Sequence, residues 1–177
     1  MADFDSSAAS QYELTQYIDR PHTRSISSIK FTSTGNIFGT ASADGTVKLY
    51  KRNTNTSQYE YTSIFDNLHD LGINDISFDS ASQYLATAPD DKYIGIWNIE
   101  TQQPLRLLKS HTNNVMCVQF NPSSTLLISG GYDECVKIWD LRTSKCIRSI
   151  LAHTDPISSI DVSTDNNYIV SGAYDGM

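Results

Sequence analysis

The sequence predicts an all-β protein, an arc of about four β-propeller blades, and three observations carry that prediction. First, His22, His69, His111 and His153 are each followed 22 residues later by an aspartate: Asp44, Asp91, Asp133 and Asp175. Second, successive histidines stand 47, 42 and 42 residues apart, and self-similarity at about 40 to 45 residues marks propeller blades. Third, strand-length stretches with alternating apolar residues run between these landmarks, divided by polar turns, and no 3.6-period stripe of helical length interrupts them. A closed propeller takes about 4 to 8 four-stranded blades, and a seven-bladed ring of this repeat takes roughly 300 residues. The 177 residues therefore read as the N-terminal part of such a ring, with repeats near 19–66, 67–108, 109–151 and 152–177, the last truncated.

The elements follow in order. Residues 1–11 are small and polar and read as a disordered tail; 12–18 (YELTQYI) alternates weakly and reads as a strand. Each histidine turn then leads into an inner strand with apolar residues at period two: Ile26, Ile29, Phe31; Ile73, Ile76, Phe78; Val115, Cys117, Phe120; Ile157, Ile160, Val162. The polar turns TSTG, DSAS, NPSS and STDN precede second strands over 37–41, 85–88, 126–130 and 169–172. A tight turn holding the aspartate leads to third strands over 47–50, 93–97 and 136–139, and outer strands fall at 59–65, 104–108 and 145–151. The first unit is five residues longer, around KRNTNTSQYEY, which predicts a longer outer hairpin.

Composition narrows the function. There are 20 acidic against 13 basic residues, a net charge of −7, and no Lys/Arg cluster, the opposite of what a phosphate backbone attracts. Direct nucleic-acid binding is not expected, whereas basic peptides such as histone tails suit an acidic surface. Three cysteines, Cys117, Cys135 and Cys146, form no CxxC and no zinc spacing with histidine; a reducing intracellular compartment and no metal or other cofactor are expected. The N-terminus MADFDSSAAS lacks a basic and an apolar signal region, and no apolar run approaches membrane-spanning length, so a soluble chain without membrane contact is expected.

Within each unit a hydroxyl residue stands four positions before the aspartate (Thr40, Thr87, Ser129, Ser171), and an aromatic stands six after it (Tyr50, Trp97, Trp139). Imidazole donates from one nitrogen and accepts at the other, carboxylate only accepts, and indole only donates, so His, Ser/Thr, Asp and Trp can form a fully satisfied buried chain. The same residue types make a hydrolase triad, but four copies at fixed spacing suit a structural element and not one active site. The order His, Ser/Thr, Asp, Trp resembles the WD-repeat family, in which the four side chains form a hydrogen-bonded relay inside each blade. His111, Ser129, Asp133 and Trp139, followed by Asp140, is the clearest copy.

Equivalent positions around the channel differ from blade to blade. Five residues after the histidine stand Ser27, Asn74, Met116 and Ser158; three after it, Ser25, Gly72, Asn114 and Pro156; before the aspartate, Ala43, Asp90, Tyr132 and Tyr174. A constant framework with a variable rim suits recognition, and a carboxylate beside exposed aromatics can receive a cationic side chain. The runs HDLGINDISF, SHTNNVMCVQFNPSSTLLISGGYDECVKIWDLRTSKC, AHTDPISSIDV and YIVSGAYDG resemble, over about residues 20–177, the WD-repeat subunit of COMPASS/MLL-type histone methyltransferase complexes. That resemblance implies a nuclear, non-enzymatic scaffold that takes an arginine of a methyltransferase subunit or a histone tail at the channel. The pocket wall would then be Ser27, Ala43, Asn74, Asp90, Met116, Tyr132, Ser158 and Tyr174. Two positions depart from the family pattern: Asn74 replaces a serine, and Met116 replaces a phenylalanine that stacks on the guanidinium. Methionine offers a polarizable surface but no ring face, and the second aromatic of the sandwich would lie beyond residue 177.

Two other classes remain open from the residues alone. An enzyme built on a propeller would need clustered catalytic groups or metal ligands outside the relay, and the sequence has none. An adaptor in a ubiquitin ligase, an RNA-processing or transcription-factor assembly, or G-protein signalling would use the same framework.

Overall fold

The computed structural model describes residues 14–66 and 69–177; the expected tail over 1–11, and residues 12 and 13, lie outside that range. Fourteen strands and no helix make up the described residues. They are β1 (Ile26–Phe31), β2 (Ile37–Ser42), β3 (Val47–Arg52), β4 (Tyr59–Phe65), β5 (Ile73–Phe78), β6 (Tyr84–Pro89), β7 (Tyr93–Asn98), β8 (Pro104–Lys109), β9 (Val115–Phe120), β10 (Leu126–Gly131), β11 (Cys135–Asp140), β12 (Lys145–Leu151), β13 (Ile157–Val162) and β14 (Ile169–Ala173). Each group of four pairs antiparallel in sequence order, giving three four-stranded meanders and a final pair, β13-β14. The inner strands β1, β5, β9 and β13 follow one another side by side, the arrangement of successive propeller blades.

Alternation along the strands explains the packing, because neighbouring residues face opposite sides of a sheet. In β6, Leu85 joins Ile73, Ile76 and Trp97 against Ala41, Val47, Leu49 and Phe65 of the first sheet. The next residue, Ala86, turns the other way with Ile94, Ile96 and Leu108, against Val118, Phe120, Leu127 and Trp139 of the third. A third cluster joins Cys117, Ile128 and Val136 to Ile157 of the fourth sheet. Every core thus lies between two consecutive sheets, so no sheet buries both faces without a neighbour on each side. The outward face of the first sheet carries an aromatic cluster instead: Phe38 stacks on Tyr50 at 4.8 Å and 11°, and Phe31, Tyr59 and Tyr61 meet this pair at 5.0 to 5.9 Å.

The residue after each inner strand ties down the following hairpin. Asp79 Oδ1 accepts from the N–H groups of Gln83 and Tyr84 at 2.7 Å, Asn121 Oδ1 accepts from those of Thr125 and Leu126, and Ser163 Oγ accepts from that of Tyr168. Such side-chain acceptors mimic a backbone turn.

Two expectations need correction. Residues 14–18 form no strand; here Gln16 alone reaches the sheet, donating its amide to Tyr59 O (2.6 Å) and accepting from Tyr59 N–H (2.7 Å). A side-chain amide takes the place of a backbone ladder at the start of the edge strand β4. The first unit's extra length is also not confined to its outer hairpin. One residue more stands between Asp44 and β3 than between Asp91 and β7, one more in the turn over 53–58 than in that over 99–103, and one more in β4 than in β8.

Candidate peptide-binding rim

The His, Ser/Thr and Asp part of the relay forms in all four sheets, and tryptophan completes it in the second and third. His111 Nδ1 lies 2.8 Å from Asp133 Oδ2, Nε2 lies 2.7 Å from Ser129 Oγ, and Trp139 Nε1–H donates to the same Oγ at 2.8 Å. Carboxylate only accepts, so Nδ1 carries the proton, Nε2 accepts from the hydroxyl, and the hydroxyl oxygen accepts from the indole. In the second sheet the distances are 2.7 Å (His69 to Asp91), 2.8 Å (His69 to Thr87) and 3.1 Å (Trp97 to Thr87). In the first, His22 lies 3.1 Å from Asp44 and 2.8 Å from Thr40, and in the fourth, His153 lies 3.0 Å from Asp175 and 2.9 Å from Ser171. Tyr50 stacks on Phe38 where the second and third sheets place tryptophan.

Electrostatics agree with neutral imidazoles and charged carboxylates. Burial pushes His22 and His69 below the ordinary imidazole value despite Asp44 and Asp91 beside them. Burial works against ionised Asp44, yet the Thr46 hydroxyl and the N–H groups of Thr23 and Thr46 hold its carboxyl well below the usual range. Asp133 is depressed likewise: burial opposes, and His111, Thr112 N–H and Lys137 prevail. Lys137 is a buried cation that the sequence does not announce, with Nζ 3.2 Å from Ser149 Oγ, 3.3 Å from Ser110 Oγ and 3.8 Å from Asp133. Ser129 is inaccessible and its oxygen serves both His111 and Trp139, so no substrate can reach it as a nucleophile.

The rim positions gain a physical definition from strand register. In each inner pair one residue is skipped: Ser27 between Ile26 and Ser28, Asn74 between Ile73 and Asp75, Met116 between Val115 and Cys117, Ser158 between Ile157 and Ser159. All four are β-bulges, which re-aim a side chain and locally bend the strand. Their side chains then differ in what they do. Ser27 donates to Ile73 O, Ser158 to Gly172 O, and Asn74 Nδ2 to both Val115 O (2.8 Å) and Asp90 Oδ1 (2.9 Å). Met116 carries no polar group and lines, with Ser27, Asn74 and Ser158, a concavity of about 380 Å³ along the inner strands.

The other two rim sets are joined in every sheet by one hydrogen bond from the residue before the aspartate: Ala43 N–H to Ser25 O, Asp90 N–H to Gly72 O, Tyr132 N–H to Asn114 O, and Tyr174 N–H to Pro156 O. Asp90 is the most engaged. Its Oδ1 accepts from the amides of Asn74 and Asn114 at 2.9 and 3.1 Å, Oδ2 has no hydrogen-bond partner among the described residues, and Asp90 lines the cleft between the first two sheets. A Cβ at Gly72 would lie in ordinary contact with Oδ2, at 3.4 Å, but 3.1 Å from Ala43 Cα, so the glycine lets the turns of the first two sheets approach. The cleft, about 420 Å³, is also lined by Ala43, Arg24, Asp44 and Asp70. Arg24 and Asp70 fall outside the sequence-derived rim set, because nothing in the repeat phase marks them. Tyr132 and Tyr174 project from the rim at 44% and 65% exposure. The candidate wall thus divides: Ala43 and Asp90 in the cleft, Ser27, Asn74, Met116 and Ser158 along the inner strands, and one exposed tyrosine on the rim of each of the third and fourth sheets.

This repeated sheet with its internal relay defines a class, the propeller repeat proteins. The model of the family "WD domain, G-beta repeat" matches residues 14–51, 62–98, 102–140 and 144–177, and the chain belongs to that family. Among solved structures it is similar to the WD40 β-propeller domain of Doa1, with 25% identity and a TM-score of 0.75 over 88% of this chain. The chain spans about half the length of that domain, 50%. No curated protein matches it. Propellers of this family generally act as non-catalytic scaffolds for protein–protein interaction.

Proposed function

We propose that this chain is a nuclear, non-catalytic scaffold subunit of a histone-lysine methyltransferase complex, which holds an arginine of a partner subunit or a histone tail at its rim. The observation that carries the reading is Asp90: two carboxamides fix one of its oxygens, and the other has no hydrogen-bond partner among the described residues, at a cleft lined by Asp44 and Asp70 as well as Arg24. A pre-oriented carboxylate of this kind favours a guanidinium through charge-assisted bonds, and the bulged Met116 supplies a polarizable wall nearby. The residues quoted above that resemble the methyltransferase subunit support the choice of complex. Affinity purification of the tagged full-length protein from nuclear extract tests it, with recovery of a methyltransferase catalytic subunit as the expected result. Recovery of a stable complex without any such subunit overturns the reading.

A further inference from the structure

We propose that the groove between the first and second sheets, at the end of the molecule away from the Asp90 rim, takes an arginine side chain from a partner protein. The template for this ligand lies one sheet further on. In the equivalent groove between sheets two and three, the chain supplies the guanidinium itself: Arg106 Nη1 donates to Leu141 O, to Arg142 O at 3.0 Å and to Ser144 Oγ at 2.7 Å.

The two grooves have matching frames. Arg106 pairs with Ile96, the residue before Trp97, and its counterpart Ser63 pairs with Leu49, the residue before Tyr50. The turn that receives the guanidinium is built twice. Ser144 N–H bonds Asp140 O at 2.8 Å, and Gln102 N–H bonds Asn98 O at 2.9 Å. Leu141 N–H reaches Thr125 O, and Ile99 N–H reaches Gln83 O; Ser144 and Gln102 share a positive φ, 59° and 57°. Ile99 O and Glu100 O therefore stand where Leu141 O and Arg142 O stand. Among the described residues no donor reaches them.

Removing the long side chain opens the site. Arg106 lines a groove of about 350 Å³, whereas the one beside Ser63 measures about 550 Å³. Its floor is Ile37, Leu49 and Ile99, with Ser82, Gln83, Glu100 and Gln102 around them. Ser82 Oγ is the single buried side-chain polar atom without a partner among the described residues. Its counterpart Ser124 accepts from Ser80 N–H at 2.8 Å. Glu100 replaces Arg142 beside the acceptor carbonyls, which exchanges a repulsive charge for an attractive one. Lys51 also lines the groove, but it donates to neither carbonyl, and an ammonium is a point charge where the turn presents a planar set of acceptors suited to a guanidinium fork.

The test uses N-acetyl-arginine N-methylamide and its lysine analogue as probes, titrated into the isotope-labelled 177-residue chain and followed by amide chemical shifts. The arginine probe is expected to shift Ser82, Gln83 and Ile99 to Gln102 and to bind about tenfold more tightly than the lysine probe, the discrimination of roughly one hydrogen bond from a charged donor. Ser63→Arg should fill the groove from within and abolish these shifts. Arg106→Ser, a change at an exposed site, should create the response at Leu141 to Ser144, so the inference stays testable if Ser63→Arg does not fold. Asp90→Ala should leave the groove response unchanged, which separates it from the rim. Equal response to both probes, or no new response in Arg106→Ser, overturns the proposal.

Discussion

Ser129 sits at the centre of the third sheet with no exposed surface, and everything around it depends on one carboxylate. Asp133→Ala leaves the His111 Nδ1–H buried without its acceptor and removes the carboxylate 3.8 Å from the Lys137 ammonium, and a stranded buried donor costs about 1–3 kcal/mol. Chemical denaturation should show that loss, and an unchanged midpoint would mean that His111 turns to solvent. Acid acts on the same relay. His22 and His69 have folded values below the ordinary 6.5 because burial disfavours imidazolium. The unfolded chain therefore binds their protons first, and stability present above pH 6.5 is lost as pH falls through the folded values. Asp44 and Asp133, depressed below 3.8, extend the loss to lower pH. Asp75, raised by burial, runs the other way and offsets part of it. Melting temperature should hold level above pH 7 and decline below about pH 6.5; a flat profile down to pH 4 would contradict the relay's protonation states.

Strands and turns repeat more strictly than side chains do. The residue after each relay aspartate takes a positive φ whatever its type: Gly45 (80°), Lys92 (74°), Glu134 (61°), Gly176 (82°). Gly45→Ala should cost about 1–2 kcal/mol from the left-handed backbone alone, and its Cβ would also stand 3.1 Å from Leu71 O; a neutral thermal melt would contradict that account. The relay and the order of strands were legible in the sequence because they depend on residue type at fixed spacing. The rim was legible only as a phase. Reading Ser27, Asn74, Met116 and Ser158 as bulges needs the pairing register, and a bulge here is marked by no constant residue. The engagement of Asp90 by Asn74 and Asn114, and the closure of one groove by Arg106 but not the other, are contacts between repeats. A period of 42 residues predicts that such neighbours exist, and says nothing of how their side chains reach.

At the scale of the molecule, burial is shared between consecutive sheets, so the first and fourth each present a face without a neighbour. Ile29 and Phe31 are 56% and 57% exposed on one, Tyr168 and Val170 are 70% and 69% exposed on the other. Apolar faces of this kind drive association, and the 177-residue chain should self-associate with rising concentration in sedimentation velocity. Phe31→Lys combined with Val170→Lys should reduce that; a monodisperse wild type at every concentration would contradict it. The central claim, that this WD-repeat chain receives an arginine at its rim, is tested most directly by calorimetric titration of the full-length protein with one arginine-containing peptide. The wild type should bind, Asp90→Ala should weaken binding, and Met116→Phe should tighten it by about 0.5–2 kcal/mol, the worth of a ring face against a guanidinium. Equal binding by all three proteins, or binding by none, would contradict the assignment of the rim.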